Sequence, residues 1–209
     1  MHDDVLDPSQ RAALSALKPA ADRGFYLAGG TGLCLHLAHR RSVDIDLFRT
    51  EAFDAEGIAR ELDACGVVLR DLKSAPATIH AEVLGVRTRL LAFPYAPLER
   101  PLPTAEGVPV ARLRDIAAMK IEAIASRGAR KDFYDLYFVC QAGLSLDAAF
   151  DAFRDRFASA SPDVYHRIRA LTFFDDAERE PDLMLLRPAL WSEVRAFFET
   201  EARRLWAAP

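Results

Sequence analysis

Five of the twelve prolines fall in one stretch, PYAPLERPLPTAEGVP, from Pro94 to Pro109. Proline fixes φ and lacks a backbone donor, so neither a helix interior nor a central strand runs through such a segment. It reads as an extended connector that divides the 209 residues into two stretches of different pattern. Before it, short apolar runs alternate with helical patterns. After it, from Arg112 onward, every segment has helical periodicity. The expectation is an α+β protein, with a mixed sheet and flanking helices over residues 1–107 and a helical lobe over 108–209.

In the first lobe, residues 9–22 read as a helix with Ser9 as its N-cap and Pro19 ending or kinking it. Phe25–Ala28 is a short apolar strand that stops at Gly29-Gly30-Thr31, and Gly32–His39 is helical. Ser42–Phe48 alternates, with Val43, Ile45 and Leu47 on one side and Asp44 and Asp46 on the other. Residues 54–65 form an amphipathic helix ended by Gly66. Strands follow over 67–72, 77–84 and 86–93, the last two joined at Gly85 as a hairpin. In the second lobe, helices are expected near 112–127, 131–142, 146–158, 162–170 and 188–205. Phe133, Tyr134, Tyr137 and Phe138 recur at helical spacing and read as core, as do Phe197 and Phe198 against Trp191.

Composition excludes several classes. With 51% apolar and 28% charged residues, the chain is not disordered. No apolar run reaches the ~20 residues of a membrane span, and MHDDVLDPSQ is too acidic for a secretory signal. Three dispersed cysteines suit a reducing compartment, so a cytoplasmic protein without membrane partners is expected. The net charge of −4 is not that of a polybasic nucleic-acid binder. Charge is nonetheless uneven: Ala111–Lys131 holds six basic residues against two acids, and Glu51–Asp63 five acids against one arginine. Such runs are usually solvated helix faces; the sharper reading is that the basic run meets an anion.

Three motifs carry chemistry. Gly29-Gly30-Thr31 lies between a strand and a helix, where glycines allow close backbone approach and the helix N-terminus offers free N–H groups to a phosphate. Alone it is no more than a turn, and it is neither a P-loop nor a dinucleotide fingerprint. Asp44-x-Asp46 puts two carboxylates on one strand face, which suits a hard divalent cation or a plain solvated edge. Lys120 and Lys131-Asp132-x-x-Asp135 place two acids on one helix face near several cations, the pattern of a site or of a salt-bridge lattice with Arg127, Arg130 and Lys131. His36 and His39 at i, i+3 lack a third nitrogen or sulfur ligand for zinc. Cys34 reads as core, and Asp175-Asp176 as turn and cap residues.

Together these segments resemble a known family. AGGTGLCLHLAHRRSVDIDLF, GVRTRLLAFPY, DIAAMKIEAIASRGARKDFYDLYFV and LTFFDDAEREPDLML are similar to the AbiEii/AbiGii toxin family of nucleotidyltransferases, over about residues 24–191. The resemblance implies a polymerase-β-like nucleotidyltransferase core completed by the helical lobe. It implies Mg²⁺, or Mn²⁺, held by Asp44 and Asp46, and an NTP whose phosphates meet Gly29, Gly30 and Thr31. Lys120 would neutralise the triphosphate or the pyrophosphate, and Asp135 or Asp132 would supply the later acidic motif, with Asp135 favoured. Arg41 would reach a phosphate or Asp46, or simply cap the preceding helix. Relatives in this superfamily place a third carboxylate on a following strand; here Glu82 is the candidate, and the return strand carries Arg87 and Arg89 instead.

The function implied is transfer of NMP from an NTP to an acceptor hydroxyl, by the toxin of a toxin–antitoxin or phage-defence pair, with tRNA as candidate acceptor and an antitoxin as partner. The alternatives are a small molecule or protein as acceptor, since a fold does not fix its substrate, or a catalytically idle nucleotide- or partner-binding member.

Overall fold

The structure is a computed structural model that describes residues 1–207. The chain forms two compact units, one of Met1–His36 with Ser42–Arg112, the other of Leu37–Arg41 with the residues from Leu113 onward. The α+β architecture expected from the sequence is the one observed, with all five strands in the first unit and successive helices through the second.

The first unit opens with α1 (Pro8–Ala16) and α2 (Lys18–Ala21). Asp7, not Ser9, is the N-cap of α1: its carboxylate accepts from the Gln10 backbone while Gln10 Oε1 accepts from the Asp7 N–H. Pro8 explains the choice, because proline at the first helical position needs no intrahelical donor. The chain then runs through β1 (Tyr26–Leu27), α3 (Gly29–Leu37), β2 (Ile45–Arg49), α4 (Ala55–Ala64), β3 (Arg70–Ala75), β4 (Thr78–Val83) and β5 (Val86–Ala92). The strands form one sheet in the order β1-β2-β5-β4-β3, with β2 and β5 parallel and the other pairs antiparallel. Ile45, Leu47, Ile79 and Leu90 are fully buried, as are Leu14, Leu17, Leu33 and Leu35 from α1–α3 and the residue that links α1 to α2.

Three local expectations shift. The helix expected at Gly32–His39 is α3, which begins at Gly29 and ends at Leu37, where Ala38 turns left-handed at φ +45°. His39 is therefore not on a helix. Val43 is 63% exposed rather than on the Ile45/Leu47 side, because β2 begins only at Ile45. The strand expected at 67–72 starts at Arg70, and its register slips between Arg70 and Lys73, where Asp71 adopts φ +48°. The α4 helix meets expectation, capped by Asp54 and followed by Gly66 at φ +84°.

The second unit comprises α5 (Leu113–Arg127), α6 (Arg130–Gln141), α7 (Leu146–Arg156), α8 (Val164–Ala170), α9 (Asp175–Glu178) and α10 (Trp191–Ala207). Helix α5 packs against α6, α7 and α8. Asp175 and Asp176, expected in a loop, form the first turn of α9. Phe133, Tyr134, Phe138 and Phe198 are core as expected, while Tyr137, Phe197 and Trp191 are half-buried; Phe133 lies edge-on to Trp191 and Phe198 and near Phe174, and Tyr137 meets Phe197.

Candidate active site

The carboxylates of Asp44 and Asp46 project over the face of the sheet that carries Arg87 and Arg89. Asp46 pairs in register with Arg89 across the parallel β2–β5 ladder, and Arg89 Nε donates to Asp46 Oδ1 at 2.6 Å. Arg87 Nε stands 2.9 Å from Asp44 Oδ1. That contact is an ion pair without hydrogen-bond alignment, so Asp44 Oδ1 is a buried oxygen lacking an aligned donor. Among the described residues no third acidic, histidine or cysteine side chain joins these two into a metal-ligating cluster.

The glycine turn is built against Asp46. Gly29 takes φ +64°, and a Cβ placed there would stand 2.8 Å from Asp46 Oδ2. Only glycine combines that backbone angle with that closeness. The Ala28 N–H donates to the Asp46 carbonyl at 3.1 Å, which fixes the start of α3 beside β2. Thr31 departs from the role expected of it: it is 1% exposed, its hydroxyl donates to the Asp44 carbonyl, and Ser42 Oγ lies 3.0 Å away. It holds the backbone of Asp44 rather than offering a donor to solvent.

Glu82 lies on β4, opposite Arg87 on β5. One strand separates it from β2, so its backbone stands about 10 Å from that of the Asp44–Asp46 segment. The position next to Asp46 on the neighbouring strand belongs to Arg89.

In the second unit, Lys120, Asp132 and Asp135 close into a buried network. Lys120 Nζ contacts Asp132 Oδ1 at 2.8 Å and Asp135 Oδ2 at 2.5 Å. Arg40 grips Asp135 with both arms of its fork, Nε to Oδ1 at 2.6 Å and Nη2 to Oδ2 at 2.9 Å. Arg127 does the same to Asp132. His39 Nε2 lies 2.7 Å from Asp135 Oδ1; a carboxylate only accepts, so this nitrogen carries the proton. Both aspartates and His39 have no exposed surface.

The electrostatics follow from burial and pairing. Burial raises the Asp135 pKa, but Arg40 and Lys120 outweigh it and hold the carboxyl well below its ordinary value. Burial raises that of Asp132 too, and Lys120 and Arg127 reverse the shift. Burial lowers the Lys120 pKa, yet Asp132 and Asp135 carry it above its ordinary value. For His39, burial dominates over the Asp135 bond and lowers the pKa, so the ring is neutral at pH 7.

The sequence alone does not mark Arg40 or His39 as a partner of Asp135. Arg41 is exposed; its N–H donates to the Met184 carbonyl and its own carbonyl accepts from Arg40 Nη1. The run RRS held the signal, but nothing local says which arginine turns inward. The basic run 111–131 is largely consumed inside the fold: Lys120 and Arg130 are buried, Arg127 serves Asp132, and Arg130 reaches Asp182 and lies over the Trp191 ring.

A family model described as "Nucleotidyl transferase AbiEii toxin, Type IV TA system" matches residues 12–208. The chain belongs to the AbiEii nucleotidyltransferase toxin family. As a member it is an enzyme of the nucleotidyltransferase class. An uncharacterized protein of Aquifex aeolicus (strain VF5), aq_aa25, is 33% identical over 183 residues, covering 86% of each chain. Among solved structures, MenT4, the nucleotidyltransferase toxin Rv2826c of Mycobacterium tuberculosis H37Rv, superposes with a TM-score of 0.59 at 14% identity, over 95% of this chain and 83% of that one. A Helicobacter pylori protein described as a candidate nucleotidyltransferase gives 0.53 at 19% identity over 96% of both chains. At such identities these two likenesses concern the fold, and they agree with the AbiEii assignment. No helix among the described AbiEii-family residues is long and apolar enough to cross a membrane.

Proposed function

We propose that the chain transfers a nucleoside monophosphate from an NTP to an acceptor hydroxyl in a Mg²⁺-dependent reaction, with Mn²⁺ able to substitute. We take it as the toxin of a toxin–antitoxin or phage-defence pair, acting on tRNA in the cytoplasm. The observation that carries this reading is the pair Asp44 and Asp46 over one sheet face, with Asp46 packed against the glycine start of α3.

The donor set suits the metal. Magnesium is commonly held by one or two carboxylates, with substrate phosphates and water completing the shell, and Asp44 Oδ1 is buried without an aligned donor. Bound there, the ion supplies charge neutralisation on the phosphates. The chain's own residues do the rest. Gly29 and Gly30 present the first-turn N–H groups of α3 to the triphosphate, where the helix dipole favours negative charge. Thr31 acts indirectly, by fixing the Asp44 carbonyl. The acceptor oxygen bonds to the α-phosphorus as the bridge to the β-phosphate breaks, and pyrophosphate leaves with the electron pair. The hydroxyl proton leaves to water in this reading, since the helical carboxylates of Asp132 and Asp135 are buried in ion pairs with Lys120, Arg127 and Arg40. Lys120 and Asp135 are read as the second charged motif of the enzyme, with Asp132 as their neighbour. Exposed Arg114 and half-exposed Lys131 are cations left for an RNA backbone, so RNA affinity is expected to be modest and salt-sensitive.

The test is to incubate the protein with Mg²⁺, each α-labelled NTP and total tRNA, beside Asp44→Ala/Asp46→Ala. Label on tRNA with the wild type only is the expected result. NTP binding without label on any RNA overturns tRNA transfer. It would favour a small or protein acceptor, or an idle binding member, the reading that Arg89 in the third carboxylate's place supports.

A further inference from the structure

The two arginines on β5 face the two carboxylates of the candidate metal site, and their pairing has a consequence for how that site fills. Asp44 and Asp46 contribute two negative charges, and Arg87 and Arg89 two positive ones. A divalent cation arriving alone finds no net attraction and must displace guanidinium groups to reach the oxygens. Arg87 is loosely held, and Arg89 keeps a single hydrogen bond to Asp46. The Arg87 side chain is 75% exposed and Arg89 35%, against 6% for Arg40 in its buried grip on Asp135. Arg87 lacks hydrogen-bond alignment with Asp44, and an ion pair as exposed as that one is weak. A triphosphate presents several oxygens in the geometry that a guanidinium fork prefers.

We propose that Arg87 and Arg89 exchange partners during the nucleotide cycle: they pair with Asp44 and Asp46 in the free protein, then move to the triphosphate and release both carboxylates to the metal. Nucleotide and metal are thereby coupled through the protein, each making room for the other. The third-carboxylate position is thus occupied by a substrate-binding cation in this chain. The proposal rests on the metal-site reading above.

The experiment measures Mn²⁺ binding from the free-ion EPR signal, without nucleotide, for the wild type and for Arg87→Gln/Arg89→Gln. It also measures the affinity of each for the four α,β-methylene NTPs by calorimetry with Mn²⁺ present. The double variant is expected to bind Mn²⁺ alone at least about fivefold more tightly and the nucleotide analogues at least about fivefold more weakly, the lower end of ordinary coupling between sites. Adding Asp44→Asn/Asp46→Asn should remove the gained Mn²⁺ binding. Unchanged Mn²⁺ affinity in the arginine variant, with binding still dependent on Asp44 and Asp46, overturns the exchange and leaves the metal site standing. Mn²⁺ binding that is absent from every form, with or without nucleotide, overturns both. Circular dichroism checks folding in each variant.

Discussion

Gly29 and Asp135 are the two residues on which the charged groups depend, for opposite reasons. At Gly29 a side chain meets both a left-handed backbone and Asp46 Oδ2. Gly29→Ala should cost about 1–2 kcal/mol of stability and displace the Asp46 carboxylate. Nucleotidyl transfer should therefore fall by much more than folding does, which parallel activity and urea-denaturation assays would read. At Asp135 the carboxylate is the shared partner of Arg40, Lys120 and His39. Asp135→Ala takes a carboxylate from two buried cations, Arg40 and Lys120, of which Lys120 retains Asp132, and should destabilise the protein by about 3–5 kcal/mol. The exposed Asp151–Arg154 pair is the control: Asp151→Ala should change stability by less than about 1 kcal/mol. Equal losses at both positions in urea melts would show that the buried network is not what holds the second unit.

Among the elements, the β4–β5 hairpin has the clearest local logic and one visible compromise. Its two-residue turn needs positive φ at both positions, and Leu84 at φ +50° and Gly85 at φ +82° comply. A leucine there is strained and also 59% exposed. Leu84→Asn creates the Asn-Gly pair such turns prefer and should stabilise by about 0.5–1 kcal/mol, seen as a higher Tm. This hairpin, α4 and the alternation within β2 were legible because each depends on turn chemistry or periodicity over a few residues. The start of α3 was not. Gly29-Gly30 reads as a turn, yet it is the first turn of the helix, because the φ of Gly29 makes the sharp bend and Gly30 is already helical. Strand β3 was misplaced because all six of its residues are exposed, so no buried face marks its register.

For the whole molecule, the buried network around Asp135 and the partly buried His36 contribute to the pH dependence. The His39 pKa lies below its ordinary value in the folded protein, so the unfolded chain binds the extra proton first and stability falls as pH drops below about 6.5. A steeper loss follows below about pH 4. There the unfolded aspartates protonate while Asp135, held well below its ordinary value, stays charged in the folded protein. On the alkaline side Lys120, raised above its ordinary value, keeps its contribution up to about pH 10.5 and loses it beyond. Denaturant melts from pH 4 to 8 should show a limb to which His39 and His36, both lowered by burial, contribute, and His39→Gln, which keeps a donor for Asp135 without a titrating ring, should reduce it between pH 7 and 5. An unaltered profile in that variant would assign the limb to other groups.

What the sequence determined by itself is local. The proline stretch follows the last strand and precedes the helices from α5 onward, Asp44-x-Asp46 puts two acids on one face, the Gly29 turn adjoins a helix start, and the aromatic spacing of α6 makes its core side. Each follows from backbone sterics and periodicity within about ten residues. The charge pairing was decided only by the tertiary structure. Arg40 reaches Asp135 across 95 positions and Arg89 reaches Asp46 across 43, and no local rule distinguishes Arg40 from Arg41 or a ligand-facing arginine from a solvated one. Long-range contacts of this kind come into being when chain closure brings distant segments into register. Only then do burial and Coulomb energy select which charges meet.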